Sequence, residues 1–203
     1  MAELFDIYDD GLNHIGVKPR DEVHRDGNWH QVFHCWVISR GCMILQKRAP
    51  DKKIFPDKLD ISCGGHLSAG ETVVEGSREL NEELGLEFNF DDLIPVGRRI
   101  SMNLYKGLID REIANVFLYE VDMGLSDFNY LREEITGLVA LPVDDGLALF
   151  SGEVDTVTVE AVGFGQEQLT ITCDDFIPSV DNIYYKGMIL AKRYLRGDKY
   201  LLI

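Results

Sequence analysis

The chain has no CxxC pair. Its four cysteines, Cys35, Cys42, Cys63 and Cys173, are scattered, which argues against both a zinc knuckle and a disulfide framework. No apolar run approaches the roughly 18 residues of a membrane span, so no membrane partner is expected. The opening MAELFDIYDDG lacks the basic-then-apolar order of an export signal, and a cytoplasmic location with reduced thiols is expected. Cations are scarce: 20 Lys and Arg against 35 Asp and Glu leave a net charge of −15. Nucleic-acid binding draws on Lys and Arg that displace counterions from phosphates, so this surface should repel a polyanion. Internal repeats and low-complexity tracts are lacking too.

What is present suits a globular fold. At 45% hydrophobic and 10% aromatic, 203 residues can bury a sizeable core. ELFDIYDDGLNHIGVKPR reads as a hairpin turning at Asp9-Asp10-Gly11, and QVFHCWVISRGCMILQKRA as another turning at Arg40-Gly41. Two β-like runs, 93–104 and 109–121, are joined through YKGLID. A strand at 137–141 and a short helix at 143–150 follow. The tail holds a hairpin in DTVTVEAVGFGQEQLTITCDD and a helix in VDNIYYKGMILAKRYLRG, with Ile183, Met188, Leu190 and Tyr194 on one apolar side. This is a mixed α/β domain over residues 1–150, with a C-terminal extension over 151–203 packed on it. Tyr184, Tyr185 and Met188 are alternatively candidates for a homodimer contact.

The most informative stretch is GGHLSAGETVVEGSRELNEELGL, residues 64–86. Thr72 and Glu75 form a capping-box pattern and Gly85 is the expected helix stop. On one continuous helix Val73, Leu80 and Leu84 share an apolar stripe, while Glu75, Glu79, Glu82 and Glu83 share another face. Two carboxylates about 5 Å apart repel by about 3 kcal/mol at an effective dielectric of 20. A hard divalent cation such as Mg²⁺ or Mn²⁺ removes that repulsion. Gly64-Gly65, just before the helix, allows a tight turn whose carbonyl can approach the ion.

Loop and helix together resemble the box of the Nudix hydrolases, G-x5-E-x7-R-E-U-x-E-E-x-G-U. Gly65, Glu71, Arg78, Glu79, Leu80, Glu82, Glu83, Gly85 and Leu86 take its fixed places. Six residues, not seven, separate Glu71 from Arg78. The resemblance implies an α/β/α sandwich with a mixed sheet, plus the C-terminal hairpin and helix. It implies metal binding by Glu79, Glu82, Glu83 and the Gly65 carbonyl, with Arg78 orienting the glutamates. The implied reaction is hydrolysis of a small diphosphate compound, a nucleoside diphosphate derivative being expected. Glu83, Glu82, Glu133 and Glu134 remain alternatives for the base that takes a proton from water.

The flanks resemble one branch of that superfamily, the isopentenyl-diphosphate isomerase-like group, across residues 3–150. EVHRDGNWHQVFHCWVI, LQKRAPDKKIFPDKLDISCGGH and IDREIANVF carry this likeness. It implies a second divalent-metal set of His24, His30, His66, Asp110 and Glu112, and diphosphate binding by Arg48 and Lys52. Asp110 stands where the isomerase has a glutamate, and the His24–His30 spacing is one residue shorter. The isomerase's cysteine lies two residues before its metal-binding histidine; here that place is Gly64, one position past Cys63. Cys63 is therefore read as a small buried residue, and His14 and His34 as structural. A missing cysteine and an intact glutamate set favour hydrolysis. Isopentenyl-diphosphate isomerase and a non-catalytic nucleotide sensor remain the alternatives.

Overall fold

The computed structural model describes residues 2–203. Strands β1 (Leu4–Tyr8) and β2 (His14–Pro19) form the first hairpin, and helix α1 (Arg20–Asp26) follows. The second hairpin is β3 (Trp29–Ser39) and β4 (Cys42–Arg48). Its Arg40-Gly41 turn has both φ angles positive, 50° and 78°, the backbone that a right-twisted two-residue hairpin requires. Two short strands, β5 (Leu59–Asp60) and β6 (Cys63–His66), precede α2 (Val73–Gly76) and α3 (Glu79–Leu84). The long hairpin β7 (Ile94–Tyr105) and β8 (Leu108–Val121) leads to β9 (Ile135–Pro142) and α4 (Val143–Ser151). The tail supplies β10 (Val157–Val162), β11 (Gln168–Ile171) and α5 (Ile183–Leu195).

All eleven strands join one mixed sheet, whose longest path runs β11-β10-β9-β4-β3-β1-β2. β3 is its spine. It runs parallel to β8 from Trp29↔Arg111 to Ser39↔Val121, and antiparallel to β4 and β6. Because strand side chains alternate between faces, Phe33, Cys35 and Val37 enter one core while Val32, Trp36 and Ile38 enter the other. Leu80 and Leu84 of α3 close the first core; Leu149 of α4 and Ile183, Met188 and Leu190 of α5 close the second. The result is the expected α/β/α sandwich. Among the described residues, no helix is long and apolar enough to cross a membrane.

Three expectations need correction. The box helix is not continuous: α2 and α3 are separated at Ser77-Arg78. There the backbone tightens, with Arg78 N–H donating to the Glu75 carbonyl and Leu80 N–H to that of Ser77, three residues back rather than four. Glu75 therefore does not share a face with the later glutamates. It is spent in the capping box, accepting from Thr72 N–H at 2.8 Å. Finally, Tyr184 and Met188 are buried in the chain's own core, so neither is free to line a homodimer contact.

Candidate active site

At one end of β3, strands β4 to β8 and helices α1, α3 and α5 enclose a cleft of about 800 Å³. Its floor follows from register. β3 places His30, Val32 and His34 on one face; their partners on β8 and β6 place Glu112 and His66 beside them. Gly64 and Gly65 leave the β6 edge bare of side chains, and the acids of α3 reach the cleft across it. A Cβ on Gly65 would overlap the Glu79 carboxylate, so glycine is the residue that lets this acid lie against the strand.

Glu83 is 5% exposed. One of its oxygens accepts from Gly64 N–H at 3.2 Å and from Gln46 Nε2 at 3.3 Å, and no cationic side chain pairs with it among the described residues. Burial, reinforced by the neighbouring Glu79 charge, raises its pKa to about 8. Burial also raises that of Glu79, opposed by the Arg78 guanidinium. Arg78 donates to Glu79 at 2.6 Å, Glu82 at 2.7 Å and Glu71 at 2.9 Å. Glu71 thus joins the cluster despite the shortened spacer, which falls in the same stretch as the tightened turn. Glu82 is the outermost of the set, its side chain 53% exposed. A buried acid pair with hard oxygens and an incomplete complement of positive charge suits a divalent cation.

The histidines form a second constellation. Donor atoms of His24, His30, His66 and Asp110 all lie within 4.8 Å of one another. The Nε2 atoms of the three histidines and Oδ1 of Asp110 are buried without a hydrogen-bond partner. Such orphans are rare in folded proteins, and here four of the eight among the described residues face one another in a single cluster. Behind them, the His24 ring Nδ1 bonds the Arg20 carbonyl at 3.0 Å and His30 Nδ1 that of Asn28 at 3.1 Å. With the proton on Nδ1, each Nε2 lone pair is turned inward, the tautomer a metal-binding imidazole needs. Burial keeps His30 neutral, its pKa lowered to about 4, and, helped by the neighbouring His30, holds that of His66 well below the ordinary histidine value. His24 is thus a buried helix residue on α1. Glu112 stands beside the four-atom group, 3.9 Å from His34 and accepting from Ser101 Oγ at 3.0 Å; burial and Asp110 push its pKa up.

Of the basic residues, Arg48 donates to Asp60 at 3.1 Å and to the Ile54 carbonyl at 3.0 Å, while Lys52 pairs with Glu134 at 2.8 Å. Both line the cleft, as do Glu133 and Glu134. Cys63 does not. Strand alternation turns it into the core beside Cys35, fully buried, where burial, with the Glu83 charge beside it, pushes its thiol pKa far up. His14 lies outside the cleft, against Asp6 at 2.8 Å.

No family model matches the chain. It is 35% identical over 200 residues to an uncharacterized Nudix hydrolase of Clostridium acetobutylicum, an alignment that covers 93% of this chain and 96% of that one.

The chain belongs to the Nudix hydrolase family.

As a member it is a hydrolase of phosphoanhydride bonds, and the family's enzymes generally require a divalent metal. A Saccharopolyspora erythraea isopentenyl-diphosphate Delta-isomerase is 32% identical over 134 residues, covering 64% of this chain and 68% of that one. Among solved structures, a Deinococcus radiodurans protein shares the fold at a TM-score of 0.56 and 24% identity, covering 74% of this chain and 90% of that one.

Sequence reasoning missed two parts of this Nudix site. His34, read as structural, lines the cleft. Ile177, Pro178, Ser179, Ile183 and Tyr184 of the C-terminal extension form part of its wall. The alternation His30-Val32-His34 along β3 was a usable signal for the first. The second depends on contacts such as Tyr184 with Asp60, which lie too far apart in sequence for any local pattern to reveal.

Proposed function

We propose that this Nudix hydrolase is a Mg²⁺- or Mn²⁺-dependent pyrophosphohydrolase of a small diphosphate compound, a nucleoside diphosphate derivative being the first class to test. The observation that carries the proposal is Glu83: a buried carboxylate beside Glu79, at a glycine-lined edge of the cleft, which accepts from Gln46 and Gly64 and has no cationic partner among the described residues. Glu79, Glu83 and the Gly65 carbonyl are assigned as metal-binding groups, with Glu82 completing the set from outside and Arg78 orienting Glu79 and Glu82. A bound divalent cation there neutralises phosphate charge and lowers the pKa of its water.

The chain's own residues supply the rest. Arg48 and Lys52 are assigned to the diphosphate, where a guanidinium already fixed by Asp60 and the Ile54 carbonyl loses little freedom on binding. Glu83, Glu133 and Glu134 line the cleft and are the better candidates for accepting the water proton; Glu82 lies outside it. The histidine–Asp110 cluster, with Glu112 beside it, is assigned a second divalent ion. Imidazole plus carboxylate suits borderline Zn²⁺ or the harder Mn²⁺ there.

The isomerase reading needs a cysteine facing the substrate, and Cys63 faces the core. The test is metal-dependent release of phosphate or nucleoside monophosphate from nucleoside diphosphates, nucleoside triphosphates, nucleotide sugars, ADP-ribose and C5 diphosphates. Glu83→Gln should reduce turnover by at least about a hundredfold, the scale seen when a catalytic electrostatic group is removed. Cys63→Ser should cost far less, since Cys63 does not line the cleft and serine keeps a small hydrogen-bonding group beside Glu83. Full turnover by Glu83→Gln would sink the assignment. Isomerised C5 product without phosphate release would favour the isomerase, and tight nucleotide binding without turnover under any metal would favour a sensor.

A further inference from the structure

His34 sits at the junction of the two constellations without belonging to either. It is on β3 opposite Gly64 of β6. Its ring lies over that glycine: a Cβ there would be 3.1 Å from its Cδ2 and 3.5 Å from its Nε2. The Gly64 N–H in turn binds Glu83, so the imidazole is one residue removed from the carboxylates assigned to the metal. On the other side its Nε2 is 3.9 Å from Glu112, beyond hydrogen-bond reach. The side chain is 13% exposed, its exposed part opens into the cleft, and no hydrogen bond to either ring nitrogen is made among the described residues. The other three histidines of the cleft differ: His24 and His30 are each tied through Nδ1, and both belong with His66 and Asp110 to the four-atom group.

A largely buried imidazole normally uses at least one nitrogen. Here the available partner is whatever fills the cleft beside Gly64. We propose that His34 is a substrate-contacting residue, its ring nitrogen hydrogen-bonded to an oxygen of the diphosphate held at the Glu79–Glu83 centre. This rests on the pyrophosphohydrolase reading for the identity of the group bound. The contact needs no change in ring protonation. It also explains why position 64 is glycine in this chain: any side chain there presses on the His34 ring or on Ile61, whose Cδ1 would lie 3.1 Å away.

The experiment uses methylenediphosphonate, whose P–C–P bridge cannot be hydrolysed, with Mg²⁺ and the ¹⁵N-labelled full chain. The His34 ring signals are identified by their loss in His34→Gln. Saturating ligand should move the His34 ring ¹⁵N resonances while those of His14, outside the cleft, stay fixed. In parallel, His34→Ala should lose roughly tenfold in kcat/KM, the worth of about one hydrogen bond to a charged group, with added imidazole restoring part of it. His34→Gln, which keeps a donor, should lose less and guards against a folding defect in the alanine variant. A His34 signal unmoved by ligand that shifts the Gly64 or Gly65 amides overturns the proposal, and so does an alanine variant as active as the parent. Absence of any ligand-induced shift overturns it as well. Should the parent hydrolyse nothing while the ligand still moves His34, the pyrophosphohydrolase reading fails and the contact stands.

Discussion

Gly65 shows how one missing side chain can place a metal-binding group. The Glu79 carboxylate occupies the volume that a Cβ on residue 65 would take, so Gly65→Ala must displace either the strand or the acid. Since β6 is locked to β3 through four registered pairs, Glu79 should move. The expected outcome is a roughly 10- to 100-fold weaker apparent Mg²⁺ or Mn²⁺ affinity, the range found when ligand orientation is disturbed, with the protein still folded. Metal titration of activity and calorimetric binding check it; unchanged affinity would mean that Glu79 does not hold the ion. The box glutamates could be found from sequence because their spacing is local, within one helical segment. Their division of labour could not. The Thr72–Glu75 cap was legible, but the burial of Glu83 against the exposure of Glu82 depends on how α3 packs on the sheet. The separation of Glu75 from the other acids depends on the break at Ser77-Arg78, which the idealised helix does not contain.

Helix α1 is the element the sequence concealed, and it carries His24. At seven residues it offers too few positions for a periodicity, although Asp21 and Glu22 in its first turn and Gly27 at φ 69° after its last are helix signals. It is anchored by Val23, which packs with Phe5 and Ile7 of β1. Phe5 does more than fill that small core. Its ring stacks on His66 at 4.8 Å and His30 at 5.4 Å and meets His24 edge-on at 6.1 Å, so one fully buried phenyl holds all three imidazoles. Phe5→Ala should cost about 3–5 kcal/mol of stability and reduce the metal retained by the histidine cluster. Denaturant titration and metal analysis after dialysis report the two effects separately. Full metal retention in a destabilised variant would show that the imidazoles are oriented by their Nδ1 contacts alone. The second hairpin, by contrast, was plain in the sequence because Gly41 marks its turn; the Arg40-Gly41 pair and the Lys106-Gly107 pair within YKGLID both adopt positive φ, which glycine takes readily and Arg40 and Lys106 accept from the turn.

For the molecule as a whole, the cleft sets the pH dependence of stability. Two opposed groups of side chains act. His30 and His34 have folded pKa values lowered to about 4 by burial. Below pH 6.5 the unfolded chain therefore binds more protons than the folded one, and stability is lost as pH falls from about 6.5 toward 4. Glu83 behaves oppositely, with a folded pKa near 8, and Glu112 is shifted in the same direction. Between the ordinary glutamate value near 4.5 and about 8, the folded chain binds more protons, so stability falls as pH rises. Across 4.5–6.5 the two groups offset each other, whereas above 6.5 the carboxylates act alone. The chelated protein should accordingly show a Tm that declines from pH 6.5 to 8. Added Mg²⁺ should raise Tm more at pH 8 than at pH 6.5, because it takes the place of the proton on a carboxylate that is costly to ionise without it. Glu83→Gln removes one titrating acid from the cleft, so its metal-free decline should be shallower and its response to Mg²⁺ smaller. A metal-free Tm that is flat above pH 6.5, in parent and variant alike, would mean that Glu83 is ionised without a cation. The acid centre would then be neutralised from within the chain, and the argument that its buried charge calls for a metal would fall.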